Sequence, residues 1–392
     1  MLRELAVTLY LVIFSIIFKI SKWFPLQNKV TFVVSFSENN KSIYKEMLRQ
    51  DLSCRTLFLT TEKMYSSFSK YEEASTLLFE LKKPLDFICS IYHLATSKVV
   101  FVDNYYGFLD KSNFKPTVEC IQLWHANGAI KKFGLKDPSI ESRSKKALKR
   151  FKSVYNRFSK VIVGSEAMAD IFRQAFEVTE DRILRTGIPR TDVFFDPKTQ
   201  LHAQTKLYRK YPFLENKKVL LYAPTFRENQ LMDAEMKLDL KSMAEQFEDQ
   251  YVLLLKFHPA VKNNINIPSE LSHFVYDFSD YHQLNELLFI TDTLITDYSS
   301  IPFEYSLLNR QIVFFLYDLE AYEEERGIWE NFIKFLPGPI AYSSDEVSTL
   351  IQDGNFDEEK VRSFSSKWNE YSNGDSSKNV LEIVKNKLTQ PY

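Results

Sequence analysis

The runs Val219-Leu220-Leu221 and Val252-Leu253-Leu254-Leu255 decide the fold. Both are continuously apolar rather than alternating, the pattern of strands buried on two faces in a parallel sheet flanked by helices. Working outward, similar short runs alternate with amphipathic stretches in two series. The first predicts strands at Val30–Phe36, Thr56–Leu59, Val99–Val102, Cys120–Leu123, Val161–Val163 and Ile183–Arg185. A polar, Lys-rich passage follows Asp196 and lasts to Lys218. The second series predicts Val219–Tyr222, Tyr251–Leu255, Phe274–Tyr276, Thr293–Ile295 and Ile312–Leu316. The expectation is α/β: an N-terminal apolar helix over 1–28, then two doubly wound domains, 29–205 and 206–392, facing a cleft. In such folds ligands sit outside the carboxyl ends of the strands.

Composition narrows the function. At 392 residues the chain can make two domains of ordinary size, and 45% hydrophobic with 26% charged residues is globular. A net charge of −1 argues against nucleic acid as a partner. Neither G-x-G-x-x-G nor G-x-x-x-x-G-K-S/T occurs, so a phosphate site must be built without those loops. Cys54, Cys89 and Cys120 form no metal or redox pattern and read as free thiols of a reducing compartment.

Five signals fall where predicted strands end. Thr296-Asp297-Tyr298-Ser299-Ser300-Ile301-Pro302-Phe303-Glu304 opens a helix after a buried strand, with Pro302 tolerated in the first turn. Its two serines put hydroxyls beside free N–H groups at a helix start, a place for phosphate. A serine N-cap alone would account for this stretch; its company shifts the balance. Trp124-His125-Ala126-Asn127-Gly128 sets a histidine at a strand end, suited to general-base work near neutral pH. In Gly187-Ile188-Pro189-Arg190-Thr191-Asp192, Arg190 either grips a phosphate or pairs with Asp192. Tyr222-Ala223-Pro224-Thr225-Phe226-Arg227 ends a strand in a turn whose hydroxyl and N–H groups would face the cleft, or is a turn and nothing more. In Leu255-Lys256-Phe257-His258-Pro259, Lys256 and His258 share one side of an extended segment and offer two donors to an anion. No metal is expected: the histidines lack H-x-H or H-E-x-x-H spacing, and no D-x-D is present to hold one for a nucleotide diphosphate.

Two further features point to a membrane. Leu5–Phe18 is a nearly unbroken apolar run of fourteen residues followed by Lys19, Lys22, Trp23 and Phe24. A spanning helix needs roughly 20 apolar residues. An interfacial anchor and a helix docked on the first domain both remain open. Between Lys131 and Lys160, eleven basic residues face two acidic ones, with Lys145, Lys149 and Lys152 on one helical face. That concentration suits anionic headgroups or a lipid diphosphate.

Taken in order, W-H-A-N-G with a following K-K-F-G, G-I-P-R-T-D, Y-A-P-T-F-R, L-K-F-H-P and T-D-Y-S-S-I-P-F-E-Y resemble the CDP-glycerol glycerophosphotransferases of teichoic acid synthesis, over roughly Val30 to Asn379. The resemblance implies two Rossmann-like domains in the glycosyltransferase-B architecture, the first on the acceptor and membrane side, the second binding CDP-glycerol. It also implies a peripheral or monotopic enzyme at the cytoplasmic face of the cell membrane of a Gram-positive-type bacterium. It makes His125 the general base, with His258 as a second catalytic histidine. It places CDP-glycerol contacts at Trp124, His125, Ala126, Asn127, Gly128, Arg190, Pro224, Thr225, Lys256, Phe257, His258, Ser299, Ser300 and Glu304, with Asp297 behind them. Ala126-Asn127-Gly128, where polymerases of the family carry G-T-P, and the ending Trp368–Ser377 look like the primase branch. A primase adds the first glycerol phosphate to undecaprenyl-diphosphate-linked N-acetylmannosaminyl-N-acetylglucosamine. No cofactor is implied; the inner-leaflet surface and other teichoic acid enzymes are candidate partners. Rival readings are a poly(glycerol phosphate) polymerase, a glycerol or ribitol phosphotransferase, a sugar-nucleotide glycosyltransferase or epimerase of the same fold, and a non-catalytic partner of such enzymes.

Overall fold

The computed structural model describes residues 2–225, 227, 236–257, 267–329, 332–354 and 356–389. Two compact units divide the chain. The first holds the residues up to Asn127, Phe133–Asp192 and the segment from Glu370 onward; the second holds Gly128–Lys132 and Val193–Asn369.

In the first unit seven strands form one parallel sheet: β1 (Gln27–Val34), β2 (Arg55–Thr60), β3 (Ala74–Leu78), β4 (Ser97–Val102), β5 (Glu119–Gln122), β6 (Lys160–Ile162) and β7 (Ile183–Leu184). Their order is β3-β2-β1-β4-β5-β6-β7. The second unit carries β8 (Lys218–Ala223), β9 (Tyr251–Leu255), β10 (Val275–Asp277), β11 (Thr293–Thr296), β12 (Gln311–Phe315) and β13 (Ile340–Ala341), again parallel. Their order is β10-β9-β8-β11-β12-β13. Winding reverses between β1 and β4 in one sheet and between β8 and β11 in the other, and doubly wound folds open a ligand crevice at such points. The continuous apolar runs are buried as their pattern requires: Leu220, Leu221, Leu253, Leu254 and Leu255 are fully covered. Burying each such side chain stabilises the sheet by roughly 1.5–3 kcal/mol.

Two strands escaped sequence reading. In β3 every residue is at least partly exposed, and Ala74-Ser75-Thr76 carries little apolar signal for an edge position. The other, β13, has two residues only. The units also differ from the 29–205 and 206–392 division. The helix Ser376–Thr389 inserts Val380, Leu381, Val384 and Leu388 into the first unit's core, against Ile43, Tyr44 and Met47 of the helix Glu38–Arg49. Asp192 accepts the backbone N–H groups of Ser376 and Ser377 and so caps that helix. Its apolar stripe, rather than its place in the sequence, assigns the C-terminal end to the first unit.

At the opposite end of the first sheet from its reversal-point loops, Lys29 is fully buried, its Nζ donating to Thr96 Oγ1 at 2.6 Å and His93 Nδ1 at 3.0 Å. Burial, with Arg55 nearby, pushes Lys29 down to about 7 and His93 down to about 3. Above pH 7, up to the ordinary lysine range, the unfolded chain therefore holds the extra proton, and stability rises with pH across that window. The urea midpoint of Lys29→Met should lack this rise. A variant that keeps the wild-type slope between about pH 7 and 9.5 would remove Lys29 as its source.

Candidate functional site

In the first unit the site is built on the ends of β1, β4 and β5. The residues after β5 turn sharply: Trp124 has φ of 53°, a left-handed conformation costing a bulky residue roughly 1–2 kcal/mol. Local polar groups hold the turn. Gln122 Oε1 accepts the Trp124 N–H at 2.8 Å, and Asn39 Nδ2 donates to the carbonyls of Leu123 and Trp124 at 3.2 and 3.0 Å. The turn delivers His125, whose Nδ1 donates to the Asp103 carbonyl at 3.1 Å and whose ring stacks on Phe36 with centroids 4.2 Å apart. A carbonyl can only accept, so Nδ1 carries the proton and Nε2 presents a lone pair. Burial pushes the imidazole down to about 4, with Arg190 adding repulsion against the charged form.

Asp103, at the end of β4, is the organiser here. Its buried carboxylate accepts from the Ser35 and Phe36 N–H groups, Asn40 Nδ2 and the Tyr106 hydroxyl, at 2.6–3.1 Å. Its carbonyl thus orients His125 while its side chain fixes the loop whose Phe36 covers the ring. Sequence reading missed Asp103, Phe36, Asn39 and Gln122; the available signal was an acid directly after the apolar run Val99–Val102. Asp192 turns to the N–H groups of Ser376 and Ser377, while Arg190 reaches the Trp124–His125 turn. Its Nη1 donates to the His125 carbonyl at 2.8 Å and its N–H to Asn39 Oδ1 at 2.9 Å. Thus Trp124, His125 and Arg190 form one cluster with Asn39. Ala126 is half-buried and Asn127 buried on the same turn. Gly187, at φ of 76°, is required because a Cβ there would lie 2.4 Å from Ser376 Oγ.

In the second unit the expected residues gather on the ends of β8, β11 and β9. Thr225 does not offer its N–H outward: Asp297 Oδ1 takes it at 2.7 Å. Its buried hydroxyl lies beside the same Asp297 carboxylate, which it helps to hold ionised. Asp297, 2% exposed, also pairs with Arg227 at 3.0 Å, so it orients the Pro224–Thr225 turn. Ser299 Oγ accepts the Ile301 N–H at 3.2 Å, and Ser300 precedes a helix, Ile301–Tyr305, of five residues. The expected helix-dipole contribution is corrected accordingly: one turn has little field, and the serine hydroxyls carry what the stretch can offer. Glu304 is buried at 2% exposure on that turn. Gly128 packs within this unit, where a Cβ would lie 2.3 Å from the Phe303 ring. Lys256 Nζ donates to the Ser279 carbonyl at 2.7 Å and the Phe257 N–H to Ser279 Oγ at 3.1 Å, so part of Lys256's donor capacity is already engaged. His258 lies outside the described residues.

The N-terminal apolar run forms the helix Leu2–Ser21, which docks one face on the first unit and leaves the other open. Leu11, Phe14 and Phe18 are buried, with Phe14 against Phe108 and Phe18 against Phe114 at 5.2 and 5.5 Å. Leu5, Leu9, Val12, Ile13, Ile16 and Ile20 stay exposed, as does Trp23 at 85%. The basic helix Lys145–Tyr155 adjoins it through Lys146 to Thr8 and Arg150 to Glu4 at 3.2 and 3.7 Å. Lys145 and Lys149 point to solvent; Lys152 is exposed too but pairs with Glu177 at 2.8 Å, which removes it as an open cation.

Two parallel doubly wound sheets, with a histidine at one strand end and hydroxyls and cations at others, make a fold of the glycosyltransferase-B type. The chain belongs to the family described as CDP-Glycerol:Poly(glycerophosphate) glycerophosphotransferase, which it matches over residues 16–386. It is 36% identical over 388 residues to the teichoic acid glycerol-phosphate primase of Bacillus subtilis (strain 168), covering 99% of this chain and 100% of that protein. It is 35% identical to the teichoic acid poly(ribitol-phosphate) polymerase of Bacillus spizizenii, over 88% of this chain but 56% of the polymerase. The solved wall teichoic acid polymerase TagF has the same fold, with a TM-score of 0.80 at 24% identity over 99% of this chain and 98% of that one.

Proposed function

We propose that this protein is a teichoic acid glycerol-phosphate primase acting at the cytoplasmic face of the cell membrane. The observation that carries the reading is the match to the Bacillus subtilis primase along the whole of both chains, where the polymerase match leaves much of that protein uncovered. In the proposed reaction a hydroxyl of undecaprenyl-diphosphate-linked N-acetylmannosaminyl-N-acetylglucosamine attacks the β-phosphorus of CDP-glycerol. The new O–P bond forms as the bond from β-phosphorus to the bridging oxygen breaks, and CMP leaves. His125 Nε2 takes the hydroxyl proton, a role worth typically ~10²–10⁴-fold. Arg190, Lys256, Thr225, Ser299, Ser300 and His258 are proposed to bind the diphosphate, and Glu304 a ribose or glycerol hydroxyl, because a carboxylate beside phosphate would repel it.

Mass spectrometry of the lipid-linked disaccharide after incubation with CDP-glycerol tests the reading. One added glycerol phosphate is expected even with excess donor; a ladder of many units would make the protein a polymerase. The same reaction is proposed to need no metal, since no D-x-D is present to hold one and the proposed ligands carry cations of their own. EDTA should leave the rate unchanged, and activity that vanishes with EDTA and returns with Mg²⁺ or Mn²⁺ would overturn that.

Replacing Ser299 and Ser300 together by alanine removes two hydroxyls proposed to meet the diphosphate. Hydrogen bonds to charged groups contribute roughly 1.5–3 kcal/mol each, so the dissociation constant for CDP-glycerol should rise by at least about tenfold. Calorimetry reads it directly; unchanged affinity would take the serines out of the site.

The exposed face of Leu2–Ser21 beside the basic helix supports peripheral attachment, one helix face seated on the domain and the other in the lipid interface. Lys145 and Lys149 would add Coulomb attraction of roughly 1 kcal/mol each near an anionic surface.

A further inference from the structure

Resting on CDP-glycerol as the ligand, we propose that Arg227 is a positioning residue that locks the ends of β8, β11 and β12 into one fixed surface for the donor. These three strands are neighbours in the sheet, β11 pairing with β8 on one side and β12 on the other. Each sends one group into the same buried cluster. Thr225 and Arg227 follow β8, Asp297 follows β11, and Asp318 follows β12.

Arg227 is 8% exposed and bonds to all three ends. Its Nη1 donates to the Thr225 carbonyl at 2.6 Å, and Nη2 to Asp297 Oδ2 at 3.0 Å. Nε and Nη2 grip Asp318 in a two-point fork at 2.9 and 3.1 Å. The guanidinium also lies over the rings of Tyr322 and Tyr298, 4.6 and 5.2 Å from their centroids. Those two rings stack on each other at 3.7 Å, and the Tyr298 hydroxyl donates to Asp318. With four of its five N–H bonds engaged inside the cluster, Arg227 holds the surface rather than the ligand.

What it holds is the set of groups assigned to the donor. Asp297, fixed by Arg227, takes the Thr225 N–H and thereby sets the Pro224–Thr225 turn and its hydroxyl, while Ser299 and Ser300 come just after Tyr298 in the chain. A buried ion pair is in itself weak evidence for stability, since apolar side chains of similar volume often serve as well. A fork of fixed geometry joining three loops is instead a device for precision, and lysine, a point charge with one attachment atom, cannot reproduce it.

Arg227→Lys and Asp318→Asn test this, the second keeping the Asp297–Thr225 contact should the first fail to fold. In the ligand-free protein, amide exchange at Thr225 and across 297–301 should quicken by about tenfold or more in each variant while β9 keeps its protection. The CDP-glycerol dissociation constant should rise at least about tenfold, as for the loss of a hydrogen bond to a charged group, while kcat at saturating donor falls less than about threefold. Unchanged exchange at those turns overturns the proposal. So does faster exchange with unaltered donor affinity, which would leave Arg227 a purely structural residue. If the wild-type protein fails to bind CDP-glycerol, the functional reading falls by itself, and the exchange measurement still decides whether Arg227 locks the three strand ends.

Discussion

Alanine in place of His125 is expected to lower kcat by about 100-fold or more and to leave CDP-glycerol affinity nearly unchanged, as for the loss of a general base. The geometry behind this is specific. The Asp103 carbonyl fixes the proton on Nδ1, Phe36 stacks on the ring, and Nε2 is left as the acceptor. The pH dependence carries a second signature. Because burial pushes His125 down to about 4, the free protein holds this imidazole neutral throughout the physiological range. The kcat/KM profile should therefore stay flat on the acid side until pH falls towards about 4, rather than bending near the ordinary histidine value. A variant that loses donor affinity while kcat survives would exchange the roles assigned to His125 and the serines. A profile with an acid limb near the ordinary value would show that the buried state is not the one that reacts.

The second large effect concerns the membrane. Cutting the chain near Gln27 would be the obvious test of the apolar helix, but the structure rules it out as a clean one. Phe14 and Phe18 are fully buried against the first unit, and deleting them would strip apolar cover from Phe108 and Phe114. Leu9→Glu with Ile16→Glu alters only the open face, since these residues are 60% and 54% exposed. Each removes an apolar side chain worth roughly 1.5–3 kcal/mol on insertion, so binding to neutral vesicles should fall by at least about 100-fold while the fold persists. Residual binding to anionic vesicles should come from the basic helix and disappear as salt rises. If the double variant binds neutral vesicles as the wild type does, the exposed face is not the membrane contact. If the wild type leaves vesicles in salt alone, the helix is a packing element and nothing more.

Much of this site could be read from residues alone because each motif is local. Continuous apolar runs give buried strands, a Pro-Thr or Ser-Ser pair after such a run marks a strand end, and strand ends are where these folds bind ligands. That logic singled out His125, Arg190, Thr225, Asp297 and the serines as candidates without any tertiary information. Two of the four edge strands, β3 and β13, escaped because part-exposed Ala74-Ser75-Thr76 and the short Ile340-Ala341 carry little hydrophobic pattern.

Partnership is another matter. Asp103 lies twenty-two positions from His125, and Asp318 ninety-one from Arg227, so no spacing rule connects either pair. Only parallel pairing of β4 with β5, and of β11 with β8 and β12, brings their ends side by side. The same holds at the C-terminus, where an apolar stripe at Val380, Leu381 and Val384 is plain in the sequence but could cover either sheet. The sequence by itself determined the α/β class, the strand ends and the chemistry available at them, because these follow from composition within a few residues. The tertiary structure alone decided which groups are buried, which hydrogen bonds they make and hence which nitrogen of His125 is free, because these depend on neighbours that the chain supplies from far away.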